Sequence, residues 1–136
     1  MTDFRKVTDD LSVAGQLQPE DLQAVTASGF KTVICNRPDN EEAPGQPSIE
    51  MMQAEAESLG LVFLALPFGG LPTTEIAHQQ GALIDAADKP VLAYCRSGTR
   101  SITAWALSQA GQGKSAQIVE TARAAGYDLS GLINVL

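Results

Sequence analysis

Pro90-Val91-Leu92-Ala93-Tyr94-Cys95-Arg96-Ser97-Gly98-Thr99-Arg100-Ser101-Ile102-Thr103-Ala104-Trp105-Ala106-Leu107 runs from an apolar strand through a short polar loop into a helix. The strand, Pro90 to Tyr94, shows no polar alternation and so reads as buried on both faces. Cys95 stands where that strand gives way to the loop. A side chain at such a strand-to-helix turn faces several backbone N–H groups and the positive end of the helix dipole. Arg96 and Arg100 add two fixed charges in the same stretch. This setting favours thiolate over thiol. It predicts a reactive cysteine in a pocket built for an anion.

The same alternation continues on either side. Arg5 to Thr8 and Leu11 to Ala14 read as short strands around Asp9-Asp10, a hairpin. Gln18-Pro19-Glu20-Asp21 opens a helix that turns Leu22 and Val25 to the core and stops at Gly29. Lys31 to Asn36 is a strand, and Arg37 to Pro47 is a long loop rich in breakers. Ser48 caps a helix from Ile49 to Leu59, with Gly60 as its stop. Leu61 to Leu66 is continuously apolar and is expected to be a central strand. Thr73 or Thr74 caps a helix to about Ala87. After the cysteine loop come a helix to about Ala110, another from Ser115 to Ala125, and a short last helix within 128–136.

Strands alternating with helices predict one α/β domain over residues 1–136, a mostly parallel central sheet with helices on both faces. In such sheets ligands bind beyond the carboxyl ends of the strands. The cysteine loop, the Asn36–Pro47 loop and the Pro67–Pro72 loop should therefore share one edge and one pocket.

The chain has 136 residues and a net charge of −7. An acidic body without a basic cluster excludes nucleic acid as a partner. Against it, Arg96 and Arg100 form a local positive site that focuses small anions. No apolar run is long enough to cross a membrane, and no apolar segment follows Met1 to Lys6, so the expected location is the cytoplasm. Two cysteines make no disulfide scaffold, and one histidine with two cysteines offers no metal-ligand spacing. Neither a metal nor a cofactor is expected. Cys35 follows Thr32-Val33-Ile34 and reads as a core thiol, the alternative being a resolving partner for Cys95.

Cys95-Arg96-Ser97-Gly98-Thr99-Arg100-Ser101 resembles the active loop of rhodaneses, in which four residues separate the cysteine from an arginine or threonine. It is also similar to the loop of cysteine-dependent phosphatases, where five residues intervene. Here Arg100 comes one position early and Ser101 takes the phosphatase arginine's place. Leu11-Ser12-Val13-Ala14-Gly15-Gln16 and Gly29-Phe30-Lys31-Thr32-Val33-Ile34-Cys35-Asn36 resemble the opening of dual-specificity phosphatases. As a whole the chain resembles the bacterial phosphatase-like, beta-lactamase hydrolase-like domains that accompany persulfide dioxygenases and rhodaneses. The resemblance implies a protein tyrosine/dual-specificity phosphatase-like fold.

The departures from the phosphatase pattern shape the functional expectation. Gly69-Gly70 stands where the resemblance would place an acidic residue, and Tyr94 where it would place a histidine. A phosphatase needs an acid for its leaving alcohol. A sulfurtransferase does not, because sulfite or a thiolate leaves unaided. The expected activity is therefore rhodanese-type sulfur transfer. Sulfane sulfur would pass from thiosulfate or glutathione persulfide, through a Cys95 persulfide, to a thiol or cyanide. A persulfide dioxygenase is the expected partner. The alternatives are a cysteine-dependent phosphatase and a non-catalytic anion-binding module. Cys95 and Arg100 are the expected catalytic residues. Arg96, Ser97, Gly98, Thr99, Ser101 and Arg37 are expected to bind substrate, with Asp39 as an accessory acid.

Overall fold

β1 (Arg5–Lys6) and β2 (Leu11–Ala14) form the expected antiparallel hairpin, with Arg5 opposite Val13 and Lys6 opposite Ser12. In the computed structural model, which describes residues 3–42 and 44–136, the other strands are β3 (Thr32–Cys35), β4 (Val62–Ala65) and β5 (Val91–Tyr94). Met1, Thr2 and Ala43, the last inside the expected 37–47 loop, lie outside the described residues. The strand order is β1-β2-β5-β3-β4, parallel from β2 onward. β5 lies at the centre and is buried along its whole length, as its unbroken apolar run requires.

β4 departs from expectation. It pairs only with β3 and forms the sheet edge, and Val62 is 43% exposed. Leu61 and Phe63 are buried in the core on the α2 side, while Leu64 is only partly buried against the core on the other face, as an edge strand with incomplete cover requires.

Helices cover both faces. α1 (Leu22–Ala27), entered through a 3-10 turn at Pro19–Asp21, and α2 (Ile49–Ser58) pack Leu22, Val25, Met52 and Ala56 against Val33, Leu92 and Tyr94. α3 (Thr74–Ala86), α4 (Thr99–Ser108) and α5 (Ser115–Ala124) bring Ile84, Ile102, Trp105 and Ile118 onto Val13, Ile34 and Ala93. The Ser48 hydroxyl accepts the Met51 N–H and Thr73 accepts that of Ile76, so both predicted caps form. The last segment, Ser130–Val135, is 3-10 rather than α-helical. No helix among the described residues is long and apolar enough to cross a membrane.

Register places the site. Ala14 and Cys35 both pair with Tyr94, so the three strands end level with one another. Gly15, Asn36 and Cys95 therefore leave the sheet side by side.

Candidate active site

Cys95 is 1% exposed and its N–H donates to Ala14 O at 3.3 Å, continuing the β2–β5 ladder by one residue. The Arg96 carbonyl then accepts the Gln16 N–H at 3.1 Å. A side chain at Gly15 would crowd that carbonyl, with its Cβ 3.0 Å from the oxygen, so this close crossing of two loops calls for glycine. Gly98, at φ 92°, turns the chain into α4, and its N–H donates to Cys95 Sγ at 3.1 Å. The thiol thus lies at the N-terminus of a ten-residue helix, on the positive end of its dipole.

Arg100 lies in the first turn of α4, and its guanidinium is close enough to Cys95 for the two groups to interact electrostatically. Its Nη1 donates to Glu41 Oε2 at 2.8 Å and to Phe68 O at 3.0 Å, and its Nη2 donates to Glu41 Oε1 at 2.8 Å. Glu41 also accepts Arg37 Nε at 2.9 Å. The Arg100 bonds, and then Arg37, hold the Glu41 carboxyl down at about 2. Reciprocally, Glu41 raises Arg100 above its ordinary value.

The arginine cluster has a second acid. Arg96 Nη2 lies 3.3 Å from Glu42 Oε2 at the exposed rim. Arg37 is only 3% exposed and donates its Nη1 to Gln16 Oε1 at 3.0 Å. All three arginines expected at the site are therefore brought together, each against an acid from the loop after β3.

That loop is built to present its acids. Asn40 takes a left-handed conformation, φ 65°, just before Glu41. Gln46 Oε1 accepts the N–H groups of Glu41 and Glu42 at 3.1 Å each, and Gln46 Nε2 donates to Pro38 O at 2.8 Å. The sequence reading missed Glu41, Glu42 and Gln46. An Arg37-to-Glu41 spacing of four was the one local signal, and nothing local points Glu41 at Arg100.

The remaining expected residues divide. Ser97 and Thr99 sit exposed at the mouth, their hydroxyl oxygens 3.0 Å apart. Ser101 is fully buried and turns away, its hydroxyl donating to Asn36 Oδ1 at 2.8 Å. Asn36 and Gln80, also fully buried, exchange two amide bonds of 2.9 Å, and Asn36 Nδ2 donates to Leu66 O at 3.0 Å. This network braces the loops that follow β3, β4 and β5 from beneath. Asp39 accepts the Ile49 N–H at 2.8 Å and so caps α2. Cys35 is buried, which pushes its thiol up, and its Sγ donates to Arg37 O at 3.4 Å. Burial likewise pushes up the Tyr94 phenol.

The arrangement can seat a tetrahedral oxyanion. The Gly98 N–H faces the Cys95 sulfur at the positive end of α4, with the Arg100 charge nearby, a setting that can stabilise a bound anion.

Comparison with known proteins places the fold and the family. The family described as beta-lactamase hydrolase-like protein, phosphatase-like domain, matches residues 3–112. A beta-lactamase hydrolase-like protein from Agrobacterium fabrum is 34% identical over 129 residues, which cover 91% of this chain and 29% of that protein. The chain thus spans under a third of the curated relative's length. A solved structure described as a "putative phosphatase" from Neisseria meningitidis Z2491 is 33% identical with a TM-score of 0.87, covering 96% of this chain and 94% of that one. The structure of Tk-PTP in its active form shares the fold, with a TM-score of 0.64 at 20% identity over 92% of this chain and 86% of its own.

These likenesses overturn the expected thiosulfate or persulfide sulfurtransferase and the rhodanese-like assignment of the Cys95-x4-Arg100 loop. The spacing misled for a physical reason. α4 begins at Thr99, so Arg100 lies in its first turn near Cys95 although it comes one position before the phosphatase arginine, and a spacing counted along the chain does not show this. The phosphatase-like fold expected from the N-terminal half is the one observed. Across residues 3–112, and through relatives one-third identical to it, the chain belongs to the beta-lactamase hydrolase-like protein, phosphatase-like domain family.

Proposed function

We propose that this domain is a cysteine-dependent phosphatase that hydrolyses phosphomonoesters through a cysteinyl-phosphate. The observation that carries the reading is the Gly98 N–H turned onto Cys95 Sγ, at 3.1 Å, at the N-terminus of α4, with the Arg100 charge nearby. In the first step the Cys95 thiolate attacks phosphorus and the ester P–O bond breaks. The alcohol oxygen leaves with the bonding pair and takes a proton from solvent. Water then attacks the phosphorus of the cysteinyl-phosphate, releasing inorganic phosphate and restoring the thiolate. Arg100 and the loop N–H groups hold the equatorial oxygens in both steps.

The acids near the mouth are already engaged. Glu41 is ionised at neutral pH, and Asp39 is bonded to the α2 N-terminus. The chemistry therefore favours aryl phosphates, whose oxyanions leave without a strong proton donor. The test is phosphate release from 4-nitrophenyl phosphate by wild type and C95S, with mass spectrometry of the quenched wild-type reaction. Release that depends on Cys95, with a phosphoryl adduct on the Cys95 peptide, is expected. Release unchanged in C95S, or none from wild type, overturns the reading.

A further inference from the structure

The peptide between Ser97 and Gly98 carries two hydrogen bonds that point in opposite directions. On one side its N–H donates to Cys95 Sγ at 3.1 Å. On the other its carbonyl accepts the Tyr127 hydroxyl at 2.9 Å. The peptide is trans, as is every described bond except Lys89–Pro90, so its N–H and C=O are antiparallel. Holding the carbonyl outward is therefore the same act as holding the N–H inward.

Within the loop the Gly98 N–H bond to Cys95 favours this orientation, and backbone strain does not enforce it. Flipping the 97–98 peptide reverses the sign of φ at residue 98, and glycine accepts either sign. The flipped loop would aim a carbonyl oxygen at the thiolate and at any anion bound over it. Tyr127 adds a contact from outside the loop that favours the same orientation.

Tyr127 is itself fixed. Its N–H donates to Ala122 O at 2.9 Å where α5 ends, and Gly126 is left-handed at φ 98°. Arg5 of β1 lies over its ring, 5.6 Å from the centroid, and Arg5 Nη1 donates to Ala125 O at 3.2 Å. Burial pushes the phenol up, so it remains a donor at neutral pH. A Cβ on Gly98 would fall on the Tyr127 hydroxyl, so glycine and tyrosine are mutually fitted. Tyr127 also lies outside residues 3–112, the part matched by the family.

We propose that Tyr127 is a positioning residue for the Cys95 nucleophile, locking the Ser97–Gly98 peptide with its N–H turned into the anion seat. The C-terminal segment after α4 is thereby part of the working site. The proposal rests on Cys95 being the nucleophile of the proposed phosphatase, yet its test does not require turnover.

The variant is Y127F, which keeps the ring and removes the donor. The readouts are the rate of Cys95 alkylation by iodoacetamide, mapped by peptide mass from pH 6 to pH 10, and the Gly98 amide proton resonance. The other titratable groups facing the thiol are Arg100 and Cys35, and Y127F changes neither. Alkylation is expected to be roughly two- to tenfold slower at pH 6, the factor that one such hydrogen bond supplies. The rates converge at pH 10, and the Gly98 amide proton moves upfield. E120Q, which removes a charge from the distant Glu120–Arg123 pair, is the control and should leave both readouts unchanged. A Y127F profile and Gly98 resonance that superimpose on wild type overturn the proposal. A shifted profile in a protein that releases no phosphate supports the lock while the phosphatase reading fails.

Discussion

The Glu41 carboxylate grips the Arg100 guanidinium end-on, with Oε2–Nη1 and Oε1–Nη2 both 2.8 Å. With Phe68 O on Nη1 as well, three N–H groups of Arg100 are occupied. Glu41 Oε1 also takes Arg37 Nε at 2.9 Å, so one carboxylate ties a buried arginine to Arg100 in the first turn of α4.

That tie makes stability depend on acid. The Glu41 carboxyl is lowered from 4.5 to about 2 by Arg100 and then Arg37. A group whose folded value is depressed contributes fully above its unfolded value and loses that contribution as pH falls through its folded one. E41Q should melt below wild type at pH 7, with the gap closing between about pH 4.5 and pH 2. Thermal melts across that range check it; a gap that stays constant to pH 2 refutes it.

The network under the loops separates two buried polar residues. S101A leaves Asn36 Oδ1 with the Gln80 donor, so it should cost only about 1 kcal/mol in urea unfolding. N36A strips partners from Gln80 and Ser101, both fully buried, and should cost about 3 kcal/mol or more. Because the Ser101 hydroxyl points away from the pocket, KM should be unchanged in S101A. Equal losses in the two variants would show that the network is not coupled as described.

Gly98 is required twice, by its φ of 92° and by the space its missing side chain leaves for Tyr127. G98A should lose about 1–3 kcal/mol of stability. It should also lose most phosphate release, because any relaxation moves the N–H that faces Cys95. Denaturation and turnover on the same preparation test both, and normal turnover in G98A would contradict the geometry.

Leaving-group dependence should be steep. With Gly69-Gly70 offering no acid and Glu41 ionised at neutral pH, kcat/KM should fall sharply from 4-nitrophenyl to phenyl phosphate. D39N keeps an oxygen for the Ile49 N–H and should leave that slope unchanged. A steeper slope in D39N would assign Asp39 the proton instead.

Much of the scaffold was legible along the chain because its signals are short-ranged. The β1–β2 hairpin, the Ser48 and Thr73 caps and the strand-loop-helix around Cys95 each depend on residues a few positions apart. The edge position of β4 was not legible, since an apolar run has the same pattern whether one neighbour or two flank it.

Sequence alone determined that Cys95 stands at a helix N-terminus with arginines beside it, because backbone preference and hydrophobic patterning act locally. Tertiary structure decided what surrounds that sulfur. Glu41 meets Arg100 across 59 positions of chain, and Tyr127 meets Ser97 across 30. Neither contact has a local signature, because strand order and helix packing alone bring such distant residues together. The spacing of Cys95 and Arg100, with Gly69-Gly70 and Tyr94 in place of an acid and a histidine, suggested sulfur chemistry. The whole-chain likeness to the phosphatase-like family overturned it, because a motif's spacing does not show how the fold seats it.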